Sequence, residues 1–261
     1  MLFTTKTVHM KATKQLFLWA TCICLGYITQ AQMNPKQQGQ KSYVKVNLLG
    51  LPIRNIGMQY EKTLSKRVSF ALGYRFMPKG PIPFKATLIE MSDNSADAQT
   101  AFNSIKFSNY AITPEIRIYA GKKGYGRGFY VAPFMRYGVF NASGVEVDYS
   151  AGTITGKILM DGNIKATTAG IMIGAQWALG KRICLDWFIL GPHYGSAKGV
   201  LSGTSTIPLP TEAQQELSNS LGSIDIPFVE ESFSVNANGA KLRLKGPWAG
   251  VRGGLSLGIK L

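Results

Sequence analysis

The stretch Arg67-Val68-Ser69-Phe70-Ala71-Leu72-Gly73-Tyr74-Arg75-Phe76 decides the fold. Its even positions, Val68, Phe70, Leu72, Tyr74 and Phe76, are large and apolar. Its odd positions, Arg67, Ser69, Ala71, Gly73 and Arg75, are small or charged. A strict period of two is a β-strand whose two faces meet different surroundings. The same alternation recurs upstream and downstream, so the whole chain reads as a repeating sheet. Before it, residues 43–49 set Val44, Val46 and Leu48 against Lys45 and Asn47. Residues 55–61 set Ile56, Met58 and Tyr60 against Asn55, Gly57, Gln59 and Glu61. After it, residues 109–119 set Tyr110, Ile112, Ile116 and Ile118 against Asn109, Thr113, Glu115 and Arg117. Residues 129–140 carry Val131, Met135 and Val139 on one face and Arg136 on the other. Three further runs, 165–179, 183–189 and the final one ending at Leu261, repeat the pattern. In the last of these Val251, Leu255, Leu257 and Ile259 oppose Arg252, Gly254, Ser256 and Lys260.

The runs make eight strands, and the connections between them alternate in kind. Those at 63–66, 121–127 and 180–182 are short, whereas those at 77–106, 142–162 (with some β character of its own) and 196–245 are long; only the first on that side, near 50–54, is brief. Pro78, Pro81 and Pro83 oppose regular pairing. Asp93 is placed to start a short helix through Phe102, and Pro208 and Pro210 precede a helix over Thr211–Leu221 ended by Gly222. Pro114 implies a locally missing ladder bond. An even number of strands, alternately short and long connections, and both ends on one side predict an all-β, closed antiparallel eight-stranded transmembrane β-barrel. It would be an up-and-down meander with short periplasmic turns and long outer loops. Closure is how strands cross lipid without unsatisfied edges.

Composition agrees. Hydrophobic residues make up 45% and charged residues only 16%, with 29 glycines, low in charge for a soluble domain. No stretch reaches the roughly 18 apolar residues that a spanning helix needs. Residues 1–31 read as a secretory signal peptide: Lys6, Lys11 and Lys14, an apolar core from Leu16 to Ile28, then Thr29-Gln30-Ala31 before cleavage at Gln32. Residues 32–41 form a short leader and 42–261 the barrel domain. Loss of the signal's three lysines takes the net charge from +15 to +12. It also leaves Cys184 as the only cysteine, which excludes a disulfide-stapled fold. An exported basic chain is not expected to meet nucleic acid; acidic glycolipid or phosphate at a cell surface, or solvated loop lysines, fit its charge better. Gly121–Gly128 is a turn, lacking the Gly-Lys-Ser/Thr ending of a phosphate-cradling loop. No cofactor or metal is implied. The soluble competitor is a lipocalin-like barrel with its apolar face inward, but Arg75, Glu115, Arg117, Arg136, Asp186 and Arg252 all occupy the second face, where a filled lumen suits them.

The segments Val44-Lys45-Val46-Asn47-Leu48-Leu49, Asn55-Ile56-Gly57-Met58-Gln59-Tyr60-Glu61 and Thr113-Pro114-Glu115-Ile116-Arg117-Ile118-Tyr119, with the strand ending at Leu261, carry a resemblance. The chain resembles the small eight-stranded outer-membrane barrels of the OmpA/OmpX type, and most of all a Bacteroidota barrel family defined as a domain of unknown function. It departs from the commonest pattern in ending on Leu261 instead of an aromatic. The resemblance implies residence in the outer membrane of a Gram-negative cell, with outer-membrane lipid and lipopolysaccharide as surroundings.

Three functions follow as expectations. The six inward charges form a network that plugs the lumen, or alternatively lines a narrow gated pore. The long loops would bind an envelope or host surface protein, a structural or adhesive role. Some small outer-membrane barrels also modify lipid A, a chemistry that needs a nucleophile beside a base; His193, with Ser196 three residues on, is the candidate, although the alternation puts His193 in the outward phase. Tyr60, Tyr74, Phe76, Tyr110, Tyr119, Trp177, Trp187 and Trp248 are expected to form aromatic girdles. A binder without membrane embedding would be lipocalin-like.

Overall fold

The computed structural model of the protein describes residues 41–121, 124–151, 154–205, 208–223 and 226–261. The expected signal peptide, 1–31, and all of the leader but Lys41 lie outside the described residues. Nine strands form one antiparallel sheet: β1 (Ser42–Asn47), β2 (Ile56–Thr63), β3 (Val68–Pro81), β4 (Lys106–Tyr119), β5 (Gly128–Ala151), β6 (Ile154–Leu179), β7 (Ile183–Thr204), β8 (Glu230–Asn236) and β9 (Gly239–Lys260). Their order is β1-β2-β3-β4-β5-β6-β7-β9-β8, and β1 also pairs with β9, so the meander closes on itself as a ring. The count is therefore nine and not the expected eight. The additional strand, β8, pairs with β9 alone, from Glu230↔Lys245 to Asn236↔Gly239, beyond the part of β9 that meets β1.

Every turn at one end of the ring is short, and Leu261 N–H reaches the Ser42 carbonyl at 2.9 Å on that same side. The far end differs from expectation. Residues 142–162 are not a loop: β5 and β6 continue through them as one hairpin, paired as far as Ala151↔Ile154. β7 likewise runs to Thr204 and β9 starts at Gly239, so the stretch 196–245 is largely sheet. These strands stand well above β1 and β2. Their projecting face packs beneath a helix, α3 (Thr211–Gly222), whose Ala213, Leu217 and Leu221 are buried against Ile158, Met160, Ala240 and Leu242. Two short helices, α1 (Lys85–Met91) and α2 (Ala96–Ser104), fill the β3–β4 connection, with α2 against β5. Pro114 interrupts the β4–β5 ladder as expected, between Ile112↔Tyr137 and Glu115↔Phe134.

Around the ring the alternation places polarity inside and apolarity outside. Leu72, Ile118, Val131, Ile173, Trp187 and Leu257 are exposed, whereas Lys45, Glu61, Glu115, Arg117, Gln176 and Asp186 are buried. Among the described residues no helix is long and apolar enough to cross a membrane, which bears on helices alone.

Candidate functional site

The lumen holds two layers of charge separated by aromatic side chains. The lower layer, near the short turns, is centred on Arg117, which is completely buried. Its guanidinium meets Asp186 at 2.5 Å, Glu115 at 2.6 Å and Glu61 at 3.2 Å. It also donates to Gln59 Oε1 at 2.8 Å. Lys45 Nζ pairs with Glu61, with Asp186 at 2.5 Å, and with Gln176 Oε1 at 2.6 Å. Tyr119 OH donates to Glu61 at 2.7 Å, Tyr130 OH to Asp186 at 2.9 Å, and Gln59 Nε2 to Glu115 at 2.8 Å. Each element contributes the residue that its inward phase dictates. Each buried charge finds an opposite charge and at least one neutral donor or acceptor, the condition on which buried ions are tolerated.

Tyr130, Phe134, Met172 and Phe188 form the middle layer. Arg117 lies under it, 4.5 Å from the Tyr130 ring centroid, and Arg252 over it, 4.5 Å from that of Phe134; both are cation–π contacts. Above opens a chamber of about 390 Å³ lined by Arg75, Arg136, Arg252 and His193 together with Asn47 and Trp248. The six charges expected inside are thus all inside, but they do not form one network. Glu115, Arg117 and Asp186 belong to the lower layer and Arg75 and Arg136 to the upper. Arg252 bridges the two through a 3.4 Å contact with Glu115.

Lys45 and Glu61 complete the lower layer and were not among the six. Their signal was available, because both sit in the inward phase of their strands. His193 is the reverse case, since the simple alternation turns it outward and the structure turns it in. A register irregularity between Phe188 and Gly191 shifts β7 by one residue. Below it Cys184, Asp186 and Phe188 are buried; above it the inward set is Gly191, His193 and Ala197. A bulge of this kind flips every later side chain to the other face. Ser196 consequently lies exposed on the opposite face of β7 from His193. Among the expected girdle residues, Tyr60, Tyr74, Tyr110, Trp177 and Trp187 are exposed, but Tyr119 is buried in the lower layer and Trp248 lines the chamber with its ring tilted against Phe140, 5.1 Å between centroids. Among the described residues no group of three or more His, Cys, Asp or Glu side chains is placed to hold a metal.

A closing antiparallel meander with polar side chains within and apolar ones without defines a β-barrel-like protein. The chain belongs to the family described as protein of unknown function (DUF3575), whose model matches residues 21–195. That span takes in β1 to β6 and the lower half of β7. Neither a curated protein nor a solved structure matches it.

Proposed function

We propose that the protein is an outer-membrane barrel of the OmpA/OmpX type, exported by its N-terminal signal into a Gram-negative, Bacteroidota-type envelope. There it serves a structural and surface-binding role. The observation that carries this reading is the inversion of polarity: exposed aliphatic and aromatic side chains encircle the ring while ion pairs fill it. Lipid favours that arrangement, and water opposes an apolar girdle of this extent. Eight strands lie in the ring itself, consistent with a barrel whose interior side chains just fill. The projecting sheet capped by α3 takes the place that long loops were expected to fill, and is the part suited to meet an envelope or host surface protein. Lipid A chemistry through His193 and Ser196 gains no support, because the two side chains lie on opposite faces of their strand.

Membrane fractionation with electrophoresis of boiled and unboiled protein tests the proposal. The expected result is an outer-membrane protein that migrates faster unboiled, with protease added to intact cells cutting first within residues 205–230. A soluble periplasmic protein without a mobility shift would overturn it.

A further inference from the structure

The two charged layers are balanced differently. In the lower one two cations, Lys45 and Arg117, face three carboxylates, Glu61, Glu115 and Asp186, and the surplus carboxylate is what Arg252 reaches at 3.4 Å. That contact uses the nearest anion and leaves the upper layer with an excess of positive charge. Among the described residues neither Arg75 nor Arg136 has a carboxylate at ion-pair distance, and the one hydrogen bond of Arg75 goes to Asn109 Oδ1 at 3.2 Å. The Nε of Arg75 and the Nδ1 of His193 are buried with no partner. Arg136 lies within electrostatic range of Arg75 and Arg252, and His193 within range of all three arginines.

We infer that this chamber is a binding site for a phosphate-type oxyanion, held by Arg75, Arg136 and Arg252 with His193 as a further donor. Half-buried like charges oppose one another unless an anion joins them, and a plug that served only to fill the lumen would be neutralised throughout, as the lower layer is once Arg252 reaches Glu115. Guanidinium forks match the oxygens of a phosphate two at a time. A volume of about 390 Å³ admits a phosphorylated headgroup or small solute and excludes a macromolecule.

The way in lies over the low side of the ring. β9 pairs with β1 up to Asn47↔Ser256 and with β8 only from Lys245, so residues 246–254 have a strand partner on the β7 side alone. β2 reaches only Ile56↔Phe76, while β3 continues to Pro81. The lip there is the β1–β2 connection, whose short 3-10 helix at Leu51–Ile53 and preceding residues expose Leu49 and Leu51, and Val251 is exposed on β9. An apolar lip beside a cationic chamber suits an amphiphile that keeps its tail outside and sends its headgroup in. The same oxyanion chemistry also fits a free solute. The lipid source rests on the membrane reading above; the site itself does not.

Calorimetric titration of the full mature protein in a zwitterionic detergent separates the sources. One arm adds inorganic phosphate; the other adds micelles carrying phosphatidic acid, against phosphatidylcholine as reference. Binding of free phosphate assigns a solute site. Binding of phosphatidic acid but of neither phosphate nor phosphatidylcholine assigns a headgroup site. In either case R136Q is expected to weaken affinity roughly tenfold or more, and R75Q/R136Q further. Both variants remove charges that have no carboxylate partner among the described residues, and retention of the heat-dependent mobility shift reports that they fold. No binding in either arm, or binding unchanged in the folded double variant, overturns the inference. A protein that fractionates as soluble yet binds phosphate through these arginines would sink the membrane reading and leave the site standing.

Discussion

Arg117→Met removes the centre of the lower layer while keeping most of the volume of the side chain. Of the two cations of the lower layer only Lys45 then remains for its three carboxylates, which are not equally exposed to the loss. Glu61 keeps Lys45, Ser69 and Tyr119, and Asp186 keeps Lys45 and Tyr130. Glu115 keeps only Gln59 and the 3.4 Å contact with Arg252. Its carboxylate is the one left inadequately compensated in a fully buried position. Breaking a buried pair in this way costs about 3–5 kcal/mol, and the lost contact with the Tyr130 face adds up to about 1–2 kcal/mol. A loss of about 4 kcal/mol lowers the folding equilibrium constant by roughly a thousandfold. The assay is urea unfolding in detergent, followed by the fraction of protein in the compact unboiled band. In the R117M background E115Q removes the uncompensated charge and is expected to restore about 1–3 kcal/mol; in the parent protein the same change removes a paired charge and destabilises. The two effects have opposite signs, so the double-mutant cycle must show a coupling well above the value for independent sites. An R117M variant within about 1 kcal/mol of the parent, or an E115Q effect equal in the two backgrounds, would refute the reasoning.

Leu72→Arg puts a cation in the middle of the exposed face of β3; it is expected to cost about 2–4 kcal/mol for folding into phospholipid vesicles, whereas a protein that lives in water would fold unimpaired. Leu217→Ala leaves a cavity under α3 worth about 2–5 kcal/mol. Because α3 packs on the projecting sheet, limited proteolysis should open residues 205–230 while the mobility shift of the ring persists. Gly170→Ala sets a Cβ within 2.2 Å of the Pro192 carbonyl oxygen, beside the β7 irregularity. The strand must shift there, at about 1–3 kcal/mol, and with it His193, so both the unfolding midpoint and the phosphate affinity should fall.

The ring was legible because its strands repeat one pattern under one constraint: apolar side chains outside, filled polarity within. Arg67 to Phe76 announces both faces in ten residues, and each later run repeats them. The projecting sheet was not legible. Val145, Val147 and Tyr149 do alternate, but among glycine, serine and acidic residues that also suit a loop. What makes them strand is their packing with the cluster beneath α3, some 60 residues further on, and no local window contains that partner.

The charged site was half legible, and the missing half has two separate physical causes. One is phase. Alternation assigns a face only until an extra residue intervenes, and between Phe188 and Gly191 it does, so a rule that holds for Asp186 misplaces His193. The other is height. A period of two says that Arg75, Arg117, Arg136 and Arg252 share an interior; it does not say which of them meet. Height follows from how each strand is registered against the next: Ser69 stands opposite both Thr63 and Arg117, whereas Arg75 stands opposite Gly57 and Ala111 at the far end of the same strands. Register belongs to pairs of strands and to the turns that join them. A reading confined to single strands therefore finds the charges and merges the two layers. The excess of positive charge in the upper layer becomes apparent only once the two are told apart.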